Sequence, residues 1–242
     1  MNAEKAIIIG ASSGIGEALA RVLSGNGYDV GLTARREERL REIAKTLPTR
    51  GFVKRIDVSE PEPAMTALRE LIAEMDGVDL IVINAGISLS SHAEWAREKA
   101  VIDVNVSGFV AMSNVAWEYF LERGKGHIVG ISSIAALKGY GRNTVYCASK
   151  AFISSYMQGM RQKIHRKRVD ILVTDIRPGF VATPMTANNK KMFWVADVDK
   201  AARQIFDAIR KRKTHAYITR RWRLAAWVTK LMPDWLFERL PS

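Results

Sequence analysis

Short apolar runs rich in isoleucine, valine and leucine alternate along this chain with longer stretches whose apolar residues recur at helical spacing. Few architectures accept that rhythm. Runs at 5–9, 29–33, 53–56, 80–83, 127–131, 171–176 and 216–219 read as strands, and stretches at 14–24, 37–47, 63–75, 94–121, 144–165 and 198–210 read as helices. The strand runs are nearly continuous in apolar character instead of alternating, which marks strands buried on both faces. Helical stretches separate them, so parallel strands joined by right-handed crossovers are expected. The predicted fold class is α/β: a single-domain, doubly wound parallel sheet of about seven strands with helices on both faces. In such a sheet ligands lie beyond the carboxyl ends of the strands, which directs attention to the residues just after each run.

With 242 residues and an apolar fraction of 48%, the chain can bury one large core, and no low-complexity linker or internal repeat divides it. Residues 1–219 are expected to form this domain, with a substrate loop at about 180–196, and residues 220–242 to form an appended amphipathic segment. The only cysteine, Cys147, cannot form an intramolecular disulfide, so a reducing, cytoplasmic setting is expected. The run Ala6-Ile7-Ile8-Ile9 is too short for a signal peptide or a spanning helix. Arg or Lys is expected to interrupt every later apolar stretch before the ~20 residues a span requires. His92, His127, His165 and His215 are scattered without metal-ligand spacing, so zinc chemistry is not expected. The net charge of +12 is uneven: residues 161–223 carry 17 basic and 5 acidic side chains, against 18 and 18 in 1–160 and 2 and 2 in 224–242. Such a surface suits anionic lipid, an acidic carrier protein or nucleic acid, of which nucleic acid is the least expected, and it equally describes a solvated face.

The first strand run leads into Gly10-Ala11-Ser12-Ser13-Gly14-Ile15-Gly16, which passes directly into a helix. Glycines there let the backbone turn sharply and approach a pyrophosphate, whose charge is met by amide groups and the positive end of the helix. The second run ends Thr33-Ala34-Arg35-Arg36, with no acid to accept a hydrogen bond from a ribose 2′-hydroxyl. Arg35 instead offers the paired charged donors that suit a 2′-phosphate. Arg36, beside Glu37 and Glu38, either adds to that site or only begins a helix.

The glycines are spaced Gly-x3-Gly-x-Gly, and Asn84-Ala85-Gly86, Ser133, Tyr146-x3-Lys150 and Pro178-Gly179 with Thr183 follow in order. In these motifs, over nearly the whole chain, the sequence resembles the short-chain dehydrogenase/reductase family. Ile9 departs from the family pattern, which usually has threonine beside the first glycine. The resemblance implies a Rossmann-like fold, NADP(H) as cofactor and assembly as a homodimer or homotetramer. It places Arg35 at the 2′-phosphate with Arg36 close by, and Asp57-Val58 at the adenine, although Asp57 reads equally as a helix-capping acid. Asn84, Ala85 and Gly86 become a small-residue floor beneath the cofactor ribose, and Pro178, Gly179, Val181 and Thr183 the loop on the nicotinamide side.

Hydride addition to a carbonyl leaves an alkoxide that must be protonated as it forms, so such a site needs an acid beside the oxygen and a group that polarises it. Tyr146 suits the first role, and Lys150, one helical turn on, projects from the same face. Two unit charges about 4 Å apart at an effective dielectric of about 20 interact by about 4 kcal/mol, so Lys150 is expected to lower the Tyr146 pKa by up to ~3. By the resemblance, Lys150 also holds the nicotinamide ribose. The resemblance likewise implies that Ser133, thirteen positions before Tyr146, binds the substrate oxygen, and that Asn105 breaks its helix and helps hold a water that links Lys150 to solvent. Ser132 would point to the other side of an extended segment. Cys147 reads as small buried packing. The activity expected is NADP(H)-dependent reduction of a carbonyl, or oxidation of the secondary alcohol. The alternative is a non-catalytic, NADP-binding regulator or scaffold.

Segments 88–95 and 138–143 and the loop after Pro178, notably Phe180, Met185, Phe193 and Trp194, are mostly apolar or aromatic. They suit an apolar or lipid-like substrate, with an acyl-carrier-linked 3-oxo compound as the alternative, and equally suit lid packing or a dimer contact. Within 220–239, Leu224, Trp227, Val228 and Leu231 recur at helical spacing beside a cluster of arginines, before Pro233 ends the helix. This segment is expected to pack in an oligomer, with peripheral contact to an inner membrane face as the alternative.

Overall fold

The structure, a computed structural model, describes residues 3–89, 94–187, 189 and 192–239. Strands β1 (Lys5–Ile9), β2 (Asp29–Ala34), β3 (Gly51–Arg55), β4 (Leu80–Ile83), β5 (Lys125–Ile131), β6 (Asp170–Pro178) and β7 (His215–Ile218) form one sheet in the order β3-β2-β1-β4-β5-β6-β7. Every neighbouring pair is parallel. The predicted strands are all present, with ends shifted by no more than two residues. Polar ends such as Lys125 and Arg177 extend the strands because ladder bonds are made by backbone, whatever the side chain; they pair with Asp170 and Tyr217.

Successive side chains of β1 enter opposite apolar layers, as the pleat requires. Ile7 and Ile9 join Leu68 of α3 (Pro61–Glu74), Phe109 of α5 (Gly108–Arg123) and Met157 of α6 (Thr144–Lys167). Ala6 and Ile8 join Leu19 of α1 (Gly14–Gly25), Leu40 of α2 (Glu37–Lys45) and Ile205 of α7 (Val198–Arg210). The sheet is thus covered on both faces. The order reverses at β1, flanked by β2 and β4, and opens a crevice at their carboxyl ends.

Helix α4 (Trp95–Ile102) continues into α5 through one widened, π-helical turn, Asp103–Ser107. Trp95–Arg123 is long and apolar enough to cross a membrane by length and composition, which corrects the expectation that basic residues interrupt every apolar stretch. No Arg or Lys stands between Lys99 and Arg123. Val104, Phe109, Met112, Val115 and Phe120 are buried in the core, so its apolar character is that of a central helix. Two short helices, α8 (Trp222–Leu231) and α9 (Asp234–Phe237), follow β7.

Candidate active site

Beyond the carboxyl ends of the strands lies a cavity of about 470 Å³. Its wall takes Gly10, Ser12, Ser13, Gly14 and Ile15 from the turn after β1, Arg35 and Arg36 after β2, and Asp57 and Val58 after β3. It continues with Asn84, Ala85 and Gly86 after β4, Ser133 after β5, Tyr146 and Lys150 from α6, and Pro178, Gly179, Val181 and Thr183 from β6 and its loop. Gly16 and Asn105 are not on the wall. Gly16 permits the turn itself: a Cβ there would fall 2.1 Å from the Gly10 carbonyl oxygen and 2.6 Å from Asn84 Nδ2. Gly10 has φ of +90°, and a Cβ on it would lie 2.7 Å from the Ala85 backbone. The Thr33 carbonyl accepts the amides of Gly10 (2.8 Å) and Ala11 (2.9 Å), while Asn84 Nδ2 donates to the Gly10 carbonyl (2.7 Å). These bonds fix the turn without a hydroxyl at Ile9.

Arg35 and Arg36 are both exposed at the rim. Arg36 occupies the N-cap position of α2 without a capping bond from its side chain; its guanidinium folds back over the glycine turn and donates to the Ser12 carbonyl (3.2 Å) and Ser12 Oγ (3.0 Å). Its side chain therefore belongs to the turn. Asp57 Oδ1 accepts from the backbone N–H (3.1 Å) and Oγ (2.6 Å) of Ser59, a local turn that leads into α3 while the residue still borders the cavity.

At the opposite end, Ser133 Oγ accepts the Ala135 amide (3.1 Å) and donates to the Pro178 carbonyl (3.4 Å), and it shares the cavity wall with Tyr146. Ser132 Oγ is directed elsewhere, donating to Asp175 and to the Ile176 carbonyl (3.1 Å). Lys150 is buried; its Nζ donates to the Ile131 carbonyl (3.0 Å) and stands 5.7 Å from the centre of the Tyr146 ring. Gly86 brings the floor against it, since a Cβ there would lie 3.2 Å from Lys150 Nζ and 3.3 Å from Asn105 Oδ1.

Asn105 sits in the widened turn. Its Oδ1 accepts the Ile87 amide (2.8 Å), and its Nδ2 donates to the Ile87 carbonyl (2.9 Å) and Ser149 Oγ (3.0 Å). Ser149 Oγ in turn donates to the Tyr146 carbonyl (2.7 Å). One side chain thus ties the loop after β4 to the helix that carries Tyr146 and Lys150. The regular α-helix is interrupted at Asn105 by this widened turn. It keeps its backbone bonded by a longer ring, with the Gly108 amide reaching the Asp103 carbonyl.

Burial pushes the Tyr146 phenol up to about 12, with the Ser133 hydroxyl pulling the other way. Burial also pushes the Lys150 ammonium down to about 8, against the attraction of Asp175. The expected lowering of Tyr146 by Lys150 is therefore not found. Lys150 Nζ, 5.7 Å from the ring centre, is aimed at the Ile131 carbonyl, and burial of the phenol is the dominant effect on Tyr146. Burial raises the Cys147 thiol as well, and that side chain is enclosed.

Sequence patterns do not single out Asp175, which is fully buried in β6. It accepts from Ser132 Oγ, from Ser154 Oγ (2.9 Å) and from Arg177 Nε (2.7 Å). An acid inside an otherwise apolar strand run is the signal that could have found it. On the substrate side, Ser88, Leu89 and Met185 border the cavity. Phe180, Phe193 and Trp194 instead pack around Trp222, with ring centres 5.7, 5.0 and 5.5 Å away, and none of them is on the wall. Part of the 88–95 segment (90–93, with His92), part of the 180–196 loop (188, 190 and 191) and residues 240–242 of the C-terminal segment lie outside the described residues.

Residues 4–194 match the family model described as short chain dehydrogenase. An uncharacterized oxidoreductase of Myxococcus xanthus is 32% identical over 247 residues, covering 98% of this chain and 96% of that protein. The NADP-dependent 3-hydroxy acid dehydrogenase of Shigella flexneri is 34% identical over 182 residues, covering 72% of this chain and 71% of that protein. Among solved structures, a short-chain dehydrogenase from Sphingobium yanoikuyae in complex with NADPH has the same fold, with a TM-score of 0.81 at 20% identity and coverage of 99% and 97%. The matched residues run from the N-terminal edge of β1 through the loop after β6 and include every wall residue described above, so the chain belongs to the short chain dehydrogenase family of oxidoreductases.

Proposed function

We propose that this protein is an NADPH-dependent reductase of a carbonyl group, able to oxidise the corresponding secondary alcohol in reverse. The observation that carries this reading is that Ser133, Tyr146 and Lys150 reach one cavity whose far end is a glycine turn rimmed by Arg35 and Arg36. The cradle fits NADP(H): Gly10 and Gly14, both with positive φ, shape the turn that leads into α1 on the cavity wall, and arginine stands where an NAD site needs an acid. The NADP dependence named for the Shigella relative supports the same choice. Arg35 and Arg36 would hold the 2′-phosphate, Asn84-Ala85-Gly86 the ribose and Pro178 to Thr183 the nicotinamide side. When bound, NADPH supplies the hydride.

Ser133 Oγ polarises the substrate oxygen and Tyr146 Oη gives it a proton as the alkoxide develops. A phenol at about 12 stays protonated through the neutral range, which suits a donor to the far more basic alkoxide. Lys150 contributes positive charge beside the developing phenolate, and Asn105 with Ser149 fixes the helix turn that sets both side chains. Cavity-wall residues Ile87, Leu89, Val104 and Met185 support an apolar substrate. A regulator that only bound the nucleotide would not need Ser133 and Tyr146 together on the same wall.

Two measurements test this reading. Lys150 acts as a cation, so with its pKa near 8 the kcat/KM for reduction holds level below that pH. Above it, kcat/KM falls about tenfold per unit as the free enzyme loses the Lys150 proton. A level profile far into the alkaline range refutes that role. Arg35→Asp lowers the preference for NADPH over NADH by roughly ten- to a hundredfold, the size of one charged hydrogen-bonded contact. Side-by-side kinetics in which the variant keeps its preference would remove Arg35 from the phosphate site.

A further inference from the structure

The apolar stripe of α8 is turned outward. Leu224, Trp227, Val228 and Leu231 occupy one face and are 59% to 69% exposed, while the helix is anchored from its other side by Trp222 and Ala226, each 2% exposed. An amphipathic helix packed on a soluble domain shows the reverse arrangement. Trp235 and Leu236 of α9 add to the exposed apolar surface.

This surface adjoins the loops that frame the cavity. Trp222 packs on Phe180, which follows directly on the wall residues Pro178 and Gly179. Phe237 of α9 packs on Tyr140, 5.2 Å between ring centres, and Asp234 pairs with Lys138 in the segment that leads to Tyr146. Large exposed apolar side chains among the described residues come, apart from Ile102 and Phe152, from Leu89, Trp95, Tyr140, the 185–195 loop and these two helices. Basic side chains frame the same surface: Arg220, Arg221, Arg223, Lys230 and Arg239 are exposed, against Asp234 and Glu238.

We infer that this face docks on an anionic lipid bilayer, so that the cavity opens toward the membrane and receives an apolar carbonyl compound dissolved there. The docking stands independently of the reductase reading; the substrate class rests on it. Tryptophan is suited to the boundary between headgroups and acyl chains, and arginines beside it meet lipid phosphates. A second copy of this chain fits the charge less well. A two-fold contact sets the patch against its own image and brings the arginines of both copies together.

The test is flotation of the full chain with phosphatidylcholine vesicles carrying or lacking phosphatidylglycerol, alongside its sedimentation mass without lipid. The chain is expected to float with the phosphatidylglycerol vesicles and to be released by high salt. Trp227→Ser with Leu231→Ser, both at exposed positions, abolishes flotation and leaves turnover of a small water-soluble ketone unchanged. Replacing Arg220, Arg221 and Arg223 by Gln lowers partitioning by roughly a hundredfold, about fivefold for each basic group near an anionic surface. A chain that never floats overturns the docking, as does one that fails to float but is a dimer converted to a monomer by the Trp227→Ser, Leu231→Ser change. A chain that floats yet reduces bilayer-dissolved ketones no faster than it does in lipid-free micelles overturns the substrate class. Failure to consume NADPH with any carbonyl compound, flotation being intact, counts instead against the reductase reading.

Discussion

Tyr146→Phe lowers turnover by about a hundred- to ten-thousandfold, the range for loss of a positioned general acid, and leaves NADPH binding and the folded state intact. This corresponds to roughly 2.7–5.4 kcal/mol of barrier. The substitution removes one hydroxyl and keeps the ring that packs beside Lys150. Ser133 retains the Ala135 amide and the Pro178 carbonyl as partners, so no buried group is orphaned and stability changes little. A loss of proton donation acts on kcat and kcat/KM together, whereas a misplaced substrate raises KM. Turnover above a few per cent of wild type, with NADPH affinity and circular dichroism unchanged, would show that another group protonates the oxygen.

The sheet was legible because its strands carry an unambiguous pattern. All four residues of β4 are buried, so no polar alternation competes with the reading of a strand covered on both faces. Much of the site was legible for a related reason: Gly10, Arg35, Asn84 and Ser133 each follow a strand, and a parallel doubly wound sheet brings those ends to one edge. Direction was not legible. The aromatic character of Phe180, Phe193 and Trp194 announces burial against something, but only the fold shows that the partner is Trp222 and not the cavity. Spacing put Tyr146 and Lys150 on one face, yet it carries nothing about hydration or about the Ile131 carbonyl at which Lys150 points. Burial reverses the expected shift of Tyr146 for that reason. The same limit applies to α8, where periodicity identifies the stripe but not that it faces away from the domain.

Asp175 should matter most to stability, because it joins three elements at one buried carboxylate. Ser132 beside the β5 end, Ser154 one turn beyond Lys150 on α6, and Arg177 on its own strand all donate to it. Arg177, whose side chain is 14% exposed, also reaches the Tyr217 hydroxyl on β7 (3.2 Å). Asp175→Ala leaves that guanidinium uncompensated and costs about 3–5 kcal/mol, a fall in Tm of roughly 6–20 °C for a chain of this size. The pair itself need not be strongly stabilising, since taking both ions from water offsets much of their attraction. Asp175→Leu with Arg177→Leu is therefore expected to cost less than Asp175→Ala, and thermal denaturation of the singles and the double measures the coupling. The carboxylate also favours the charged form of Lys150 against the burial that opposes it. Asp175→Asn keeps the shape and an acceptor for the serines but removes the charge, so the alkaline fall of kcat/KM should move below the wild-type value near 8. An Asp175→Ala protein that melts within about 2 °C of wild type contradicts the clamp. An Asp175→Asn protein with an unmoved alkaline limb confines Asp175 to holding the β5 end and α6 in place, with no part in keeping Lys150 charged.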